Sequence, residues 1–129
     1  MEEEDIRQFD KQKYLNLETY RKSGAGVKTP VWFARQGGAF YAYSLANAGK
    51  VKRIRNNPRV RIVPCDVRGN PKGRWVDGAA TVLYGSDAEP GQRMLREKYG
   101  WMKRLGDLIG KIRKKQYAVL EIRLDESRR

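Results

Sequence analysis

The sequence predicts a mainly β protein, a small antiparallel barrel of six strands with a few short helices. Three features of the 129-residue chain lead to this prediction. Most apolar runs alternate with polar residues, as half-buried strands do. Neighbouring runs are joined by turns rich in glycine, which suit antiparallel pairing. Six strands in so short a chain would close into a barrel, which removes exposed edges.

The N-terminal third predicts a three-stranded meander. A short helix is expected at residues 6–12, and strands are expected at 14–20, 27–35 and 39–44. Residues 23–26 form the turn between the first two strands. Gly37 and Gly38 form the next turn, since glycine accepts the positive φ of a tight hairpin.

The apolar period changes at residues 48–56, where Val51 and Ile54 stand three apart among basic residues and predict a short amphipathic helix. Pro58 ends this helix, because proline disfavours helix in the residue before it. Strands are expected at 59–65, with Val63 on its polar face, at 75–84 and at 117–124. Helical segments are expected from Glu89 and over 102–114. The chain shows no linker or repeat, so a single domain spanning residues 1–129 is expected.

The net charge of +13 predicts an anionic partner: nucleic acid, a membrane surface or a phosphate-bearing small molecule. The sequence has no histidine, which excludes histidine general bases, Ser-His-Asp triads and the usual zinc sites. No metal site is expected, and no side-chain pattern identifies a catalytic residue. A bound cofactor would therefore have to supply the chemistry.

The sequence also predicts a cytoplasmic protein that does not enter membranes. Cys65 is the only cysteine and lies in an apolar run, which indicates a buried, unreactive thiol in a reducing compartment. No apolar stretch approaches the roughly 20 residues that span a bilayer. The acidic residues 2–5 are the reverse of the basic start of a signal peptide.

The segment 44–53 has the best chemistry for holding an anion. A strand ends at Ser44, a loop of small residues follows, and a helix begins near Gly49 and Lys50. Helix N-termini offer unpaired N–H groups and a partial positive charge, which suit a phosphate. Lys50 and the Ser44 hydroxyl add direct donors. The alternative is that these cations form only the solvated face of a surface helix.

Two segments, FYAYS at 40–44 and GKVKRIRNNPRV at 49–60, resemble the signature of the pyridoxamine 5′-phosphate oxidase-like superfamily. TPVWF at 29–33, PCD at 64–66 and GAA at 78–80 resemble its branch of deazaflavin (coenzyme F-420)-dependent enzymes. The resemblance covers roughly residues 14–124, and the spacing from Lys50 to Pro58 is its most specific part. It implies a split barrel that dimerises and holds its cofactor at the subunit interface.

The resemblance also assigns roles to individual residues. Lys50 matches the family lysine on the cofactor phosphate, and Ser44 matches its Ser/Thr partner. A strand segment matches the one that runs beside the flavin or deazaflavin ring, and consists of Thr29, Pro30, Val31 and Trp32. Lys52 and Arg53 lie close by.

The resemblance implies an oxidoreductase that transfers a hydride between F-420 or FMN and a small unsaturated substrate. F-420 is favoured because of the patterns at 29–32 and 50–53. True pyridoxamine phosphate oxidases grip their substrate with a C-terminal arginine and histidine motif, which this sequence lacks, so that activity is not expected. Two alternatives stay open: a protein that binds or stores the cofactor without catalysis, and a nucleic-acid-binding protein suggested only by the charge.

A homodimer is expected because small barrels fill their interiors with side chains, so a tricyclic ring needs a wall from a second subunit. Core or dimer contacts are expected for Trp75, Tyr84, Trp101 and Tyr117. A second basic cluster is expected to be a solvated helix face or, alternatively, a groove for an acidic cofactor tail, and comprises Lys111, Arg113, Lys114 and Lys115.

Overall fold

In the computed structural model, which describes residues 3–99 and 117–125, six antiparallel strands form a closed barrel. The strands are β1 (Tyr14–Tyr20), β2 (Gly26–Gln36), β3 (Ala39–Leu45), β4 (Arg59–Cys65), β5 (Val76–Leu83) and β6 (Tyr117–Leu124). Their order around the barrel is β1, β2, β3, β6, β5, β4, and β4 pairs back to β1. The predicted fold class is confirmed. The bounds of β1, β4 and β6 match the prediction, β3 differs by one residue at one end, and β2 and β5 differ by one residue at both ends.

In the described residues three short α-helices accompany the barrel: α1 (Glu3–Arg7), α2 (Gly49–Asn56) and α3 (Glu89–Lys98), the last preceded by a 3-10 turn at Gly85–Ala88. The first helix ends earlier than the predicted 6–12. Lys11 has a φ of 63°, a left-handed conformation that a right-handed helix does not contain. The predicted helix at 102–114, Trp101 and the basic cluster at 111–115 lie outside the described residues.

The barrel interior is filled by apolar side chains from all six strands. Leu15, Leu17, Ile62, Leu120 and Ile122 have no exposed surface. The alternating face predicted for β6 is confirmed, because Leu120, Ile122 and Leu124 belong to this core. The interior therefore has no room for a large ligand, and any such ligand has to bind at the barrel wall.

The expected exposure of Val63 is wrong, since this side chain is fully buried. The loop after β4 folds back over the outer face of the barrel there. It is held by the Asn16 side chain, which donates to the carbonyl of Gly69 over 2.8 Å, and by the amide of Lys72, which donates to Pro64 over 2.7 Å. A covered outer face buries both sides of β4. The same loop buries Cys65, and burial raises the pKa of its thiol to about 11, as expected of an unreactive cysteine.

Each end of the barrel is closed by a segment outside the sheet. At one end α2 inserts Val51 and Ile54 into the core. At the other end the residues after α1 insert Phe9, whose ring packs edge-on against Phe33 at 5.8 Å and Phe40 at 4.8 Å between centroids. Helix α2 and the segment that follows α1 thus complete the barrel core at its two ends.

The third helix, α3, packs on the outer faces of β2, β3 and β6. Gly91 permits this close approach. A Cβ atom there would lie 2.8 Å from Cγ1 of Val119 and 2.9 Å from Cδ1 of Tyr41. Helix and sheet are therefore in direct contact along this side of the barrel.

Of the aromatic residues predicted as core or dimer contacts, Trp75, Tyr84 and Tyr117 lie outside the barrel core. Trp75 is half-buried on the outer face, between the cations of Lys28 and Arg61. Tyr84 is 38% exposed, and Tyr117 is half-buried. Within the described residues, no helix has the length and apolar character needed to cross a lipid bilayer.

Candidate functional site: a basic helix start beside a split in the barrel

The barrel wall is open between β2 and β3. These strands pair only from Phe33–Ala42 to Gln36–Ala39. Beyond that point β2 pairs with β1 alone, over Gly26–Trp32, and the end of β3 pairs with β6 alone. We call the unpaired stretch between β2 residues 26–32 and β3 residues 43–45 the split. Its fork is the pair Phe33–Ala42.

Pro30 lies in the middle of the unpaired part of β2. Proline has no N–H to give to a ladder, and within sheets it is confined to edges and strand starts. Because β2 does not pair with β3 at this point, the missing N–H of Pro30 costs the sheet no hydrogen bond. The residue is therefore a local sequence signal for the place where β2 leaves β3.

The predicted ring-binding strand, residues 29–32, forms one lip of the split. Val31 and Thr29 stand opposite Leu15 and Leu17 of β1, so both are on the inner face. Pro30 and Trp32 are on the outer face. On the other lip Ser44 is buried and lies two positions after the core residue Ala42, so its side chain also faces inward. The split thus brings Thr29–Trp32 and Ser44 to the same opening.

Helix α2 begins at this end of the barrel, and its first turn is unusual. The N-cap residue, Ala48, has no side chain that could accept a hydrogen bond from the first N–H groups. The first turn holds no acidic residue but carries Lys50 and Lys52, and the guanidinium of Arg53, from the following turn, lies near Gly49. Cations near a helix N-terminus are unfavourable because they repel its partial positive charge. Both features become favourable if an anion binds there.

Arg53 lies close enough to Lys50 to lower the pKa of its ammonium. Burial, and then the charge of Arg53, hold the pKa of Lys50 below its usual value. Burial, and then the charge of Arg21, lower the pKa of Arg53. Arg53 donates through Nε to the Thr19 hydroxyl over 2.6 Å. Among the residues that the structure describes, no carboxylate forms an ion pair with any of the three cations.

Arg53 also links α2 to the strand that forms the split. Thr19, its hydrogen-bond partner, pairs with Val27, two positions along β2 from Thr29. Its guanidinium folds back over the helix start, because a Cβ atom at Gly49 would lie 2.8 Å from one of its terminal nitrogens. A side chain at position 49 would displace this group, so glycine suits the site.

Two of the predicted site residues have weaker support from the geometry. The Ser44 hydroxyl donates to the carbonyl of Leu45 over 3.0 Å, a local contact that leaves no direct link to Lys50. Lys52 is exposed and, within the described part of the chain, has no ion pair or hydrogen bond. Of the predicted cations, Lys50 and Arg53 form the pair that the structure brings together.

The sequence analysis missed Arg21 and Thr19. Both belong to the first hairpin, in which Tyr20 pairs with Gly26. In an antiparallel meander the first turn and the end of the third strand lie at the same end of the sheet. The predicted strand order therefore contained the signal that Arg21 would lie near α2.

The site fits the phosphate of a cofactor. It offers three clustered cations, an uncapped helix start and a buried hydroxyl, and it contains no acidic counter-charge from the described residues. Within residues 3–99 and 117–125, no three His, Cys, Asp or Glu side chains lie together as a metal ion would require.

The fold is a split barrel whose open edge lies beside a cluster of cations at the start of α2. The chain belongs to the pyridoxamine 5′-phosphate oxidase family, whose model matches residues 2–129. The resemblance read from the sequence is thereby confirmed. No curated protein matches the sequence.

Solved structures with the same fold carry different functional descriptions. An F420 reductase superposes with a TM-score of 0.63 at 17% identity and covers 98% of this chain and 97% of its own. An FAD-binding protein from Mesorhizobium loti gives 0.66 at 19%, covering 95% and 87%. The haem storage protein HutZ from Vibrio cholerae gives 0.67 at 17%, covering 97% and 91%. At these identities the likeness establishes the fold alone.

Proposed function

We propose that this protein binds F-420 or FMN, with the cofactor phosphate at the start of α2 and the ring along the split. In this role it is an oxidoreductase that transfers a hydride between the cofactor and a small unsaturated substrate. The observation that carries the proposal is the cation cluster of Lys50, Arg53 and Arg21 at an uncapped helix start, immediately beside the open edge of the barrel.

The phosphate explains why this cluster is stable. A dianion or monoanion would accept hydrogen bonds from the free N–H groups of the first turn and from the Lys50 ammonium. It would also relieve the repulsion among the three cations. Charge-assisted hydrogen bonds of this kind are roughly twice as strong as neutral ones.

The ring is assigned to the split because side chains fill the barrel core, whereas the edges of β2 and β3 at the split have no partner strand. The inner face of the split offers the hydroxyl groups of Thr29 and Ser44, and its outer face offers the ring of Trp32. When bound, the cofactor supplies a ring that accepts and returns a hydride. The protein supplies binding and orientation, and no described residue stands out as a general acid or base.

The choice of cofactor follows the sequence pattern and the relatives. The segments 29–32 and 50–53 favour F-420, one structural neighbour is an F420 reductase, and another is an FAD-binding protein. Haem, suggested by HutZ, is a poorer match because the sequence has no histidine, a common axial ligand of haem iron.

A homodimer is part of the proposal. The split lies in the wall of the barrel, so a ring bound along it would face solvent on its outer side unless a second subunit covered it. Multi-angle light scattering of the purified protein should return about twice the 14.9 kDa mass of one chain at micromolar concentration. A monomer that still binds the cofactor with full affinity would contradict the dimeric site.

Titration with F-420, FMN and riboflavin tests the proposed cofactor. Riboflavin is FMN without its phosphate and is therefore the matched control. We expect FMN to bind about ten- to hundredfold more tightly than riboflavin, as one charged hydrogen-bonding group implies, and F-420 to bind at least as well as FMN. The change in ring fluorescence gives the dissociation constants.

Other outcomes of the titration would support the alternatives. Tight F-420 binding without turnover of any enone or quinone would favour a cofactor-storage protein. Salt-sensitive DNA binding with no affinity for a flavin or deazaflavin would favour a nucleic-acid-binding protein and overturn the proposal. Equal affinities for FMN and riboflavin would exclude a phosphate site at α2.

A further inference from the structure

Helix α3 spans the fork of the split on the outside of the barrel. At the fork the first unpaired residues are Trp32 on β2 and Tyr43 on β3. Both contact α3 or the residue that follows it. Trp32 stacks on Tyr99, with ring centroids 5.5 Å apart and an interplanar angle of 23°. Tyr43 and Met94 pack against the same buried residues between α3 and the sheet, and the Tyr43 hydroxyl lies 3.4 Å from the carbonyl of Gln92.

The last two residues of this segment, Lys98 and Tyr99, also hold the backbone of the fork. The amide of Phe33 donates to the Tyr99 hydroxyl over 3.2 Å. That hydroxyl lies 2.6 Å from the carbonyl of Lys13 and 2.7 Å from that of Phe33. Lys98 donates through Nζ to the carbonyls of Gln12, over 2.7 Å, and Phe33, over 2.8 Å.

A single assignment satisfies these groups. A phenol has one hydrogen, so Tyr99 donates to only one of the two carbonyls within reach. The ammonium of Lys98 already donates to Phe33, which leaves the Tyr99 proton for Lys13. Both polar groups of Phe33 are then occupied on the side of β2 that faces β1. Ladder groups alternate along a strand, so those of Trp32 point the other way, toward the split.

We propose that α3 sets the width of the split and that Tyr99 is the positioning residue through which it does so. Tyr99 fixes the Phe33 peptide at the point where β2 leaves β3. It also supports the ring of Trp32 on the outer face of β2. The same helix contacts Tyr43 on β3, so the two strands that border the split are both held by α3. The proposal rests on the proposed function, because it assigns a role in binding the ring of the flavin or deazaflavin.

Two substitutions at Tyr99 separate its hydroxyl from its ring. Tyr99→Phe keeps the stacking on Trp32 but removes the contacts to Phe33 and Lys13, and Tyr99→Leu removes both. Tyr41→Phe is the matched control, because Tyr41 also lies under α3 and its hydroxyl is 3.1 Å from Glu121, away from the fork. The probes are FMN and inorganic phosphate, the latter measured by competition with FMN.

We expect Tyr99→Phe to weaken FMN binding about fivefold and Tyr99→Leu to weaken it more, with the phosphate competition constant unchanged. In the protein without cofactor, amide hydrogen exchange should rise at residues 29–32 and 43–45 in both variants. Tyr41→Phe should change none of these quantities. A loss of FMN and phosphate affinity in equal proportion would mean general loosening and would overturn the positioning role.

The exchange measurement keeps this test independent of the cofactor. If the unmodified protein binds neither FMN nor F-420, the proposed function fails, and unchanged exchange at the split would overturn the role of α3 as well. If the unmodified protein binds FMN and both Tyr99 variants bind it equally well, only the role of Tyr99 fails. If Tyr99→Leu does not fold, Tyr99→Phe still decides the outcome.

Discussion

Replacing Lys50 with alanine should weaken FMN or F-420 binding about ten- to hundredfold while leaving the fold intact. A hydrogen bond to a charged group contributes roughly 1.5–3 kcal/mol, which corresponds to this change in affinity. The fold should tolerate the change, because Lys50 has no ion pair or hydrogen bond among the described residues and its cation opposes the helix dipole. Fluorescence titration and thermal melting measure the two effects.

Lys52→Ala is the matched control, since it removes the same charge two positions away on the same helix. Lys52 is exposed, and its removal should lower the affinity much less. Equal losses from both variants, erased by added salt, would mean that the overall positive field of the protein binds the ligand and that no site exists at Lys50.

The same residue should give cofactor binding a pH dependence. Burial, and secondarily the charge of Arg53, lower the pKa of Lys50, so its ammonium is lost at a lower pH than that of a free lysine. An anion favours the charged form, and affinity should therefore fall as the pH rises through the lowered pKa of Lys50, at a lower pH than a free lysine would give. Lys50→Arg stays charged at these pH values and should remove that fall. It should restore only part of the affinity, because a planar guanidinium does not replace a compact ammonium.

Replacing Phe9 with alanine should destabilise the barrel by about 3–5 kcal/mol, the usual cost of removing a buried aromatic ring. Phe9 is 2% exposed and contacts the rings of both Phe33 and Phe40 at the end of the barrel opposite α2. The deletion leaves a cavity that the strands cannot fill without bending. Urea denaturation followed by tryptophan fluorescence measures the free energy of unfolding.

Two variants define what the Phe9 result means. Phe9→Leu keeps most of the buried volume and should cost no more than about 1.5 kcal/mol. Arg7→Ala, at an exposed position on α1, should change the stability by less than about 0.5 kcal/mol. A loss below about 1 kcal/mol for Phe9→Ala would be close to the effect of a surface substitution. It would show that the N-terminal segment does not close the barrel in solution.

The strands that the sequence predicted best are those whose signals are local. β4 follows Pro58 directly, and apolar and polar residues alternate along β6, so the local sequence predicts the bounds of both strands. Val63 was assigned to the wrong environment because its burial depends on a loop that folds back from residues 66–75. Alternation of apolar and polar residues predicts that one face of a strand is buried. It cannot predict that a loop also covers the other face.

The candidate site was predictable only in part for a similar reason. Lys50 and Arg53 lie in one helical turn, and their spacing is visible in the sequence. Tyr99 contacts Phe33 across 66 positions, and Arg21 reaches Arg53 from a different turn of the chain. Contacts of this length follow from the strand order rather than from any local pattern. The split itself came from the family resemblance, although Pro30 was a local sign of it.

The split has a consequence for the behaviour of the protein in concentrated solution. It leaves two strands with free edges, which are the usual templates for unwanted pairing between molecules. Pro30 interrupts the row of donors on β2, and a proline on an exposed edge is a recognised protection against such pairing. Pro30, which lies where β2 does not pair with β3, therefore also protects this free edge against aggregation. A sequence selected to bind at this edge would be expected to retain proline there even if the ligand never touched it.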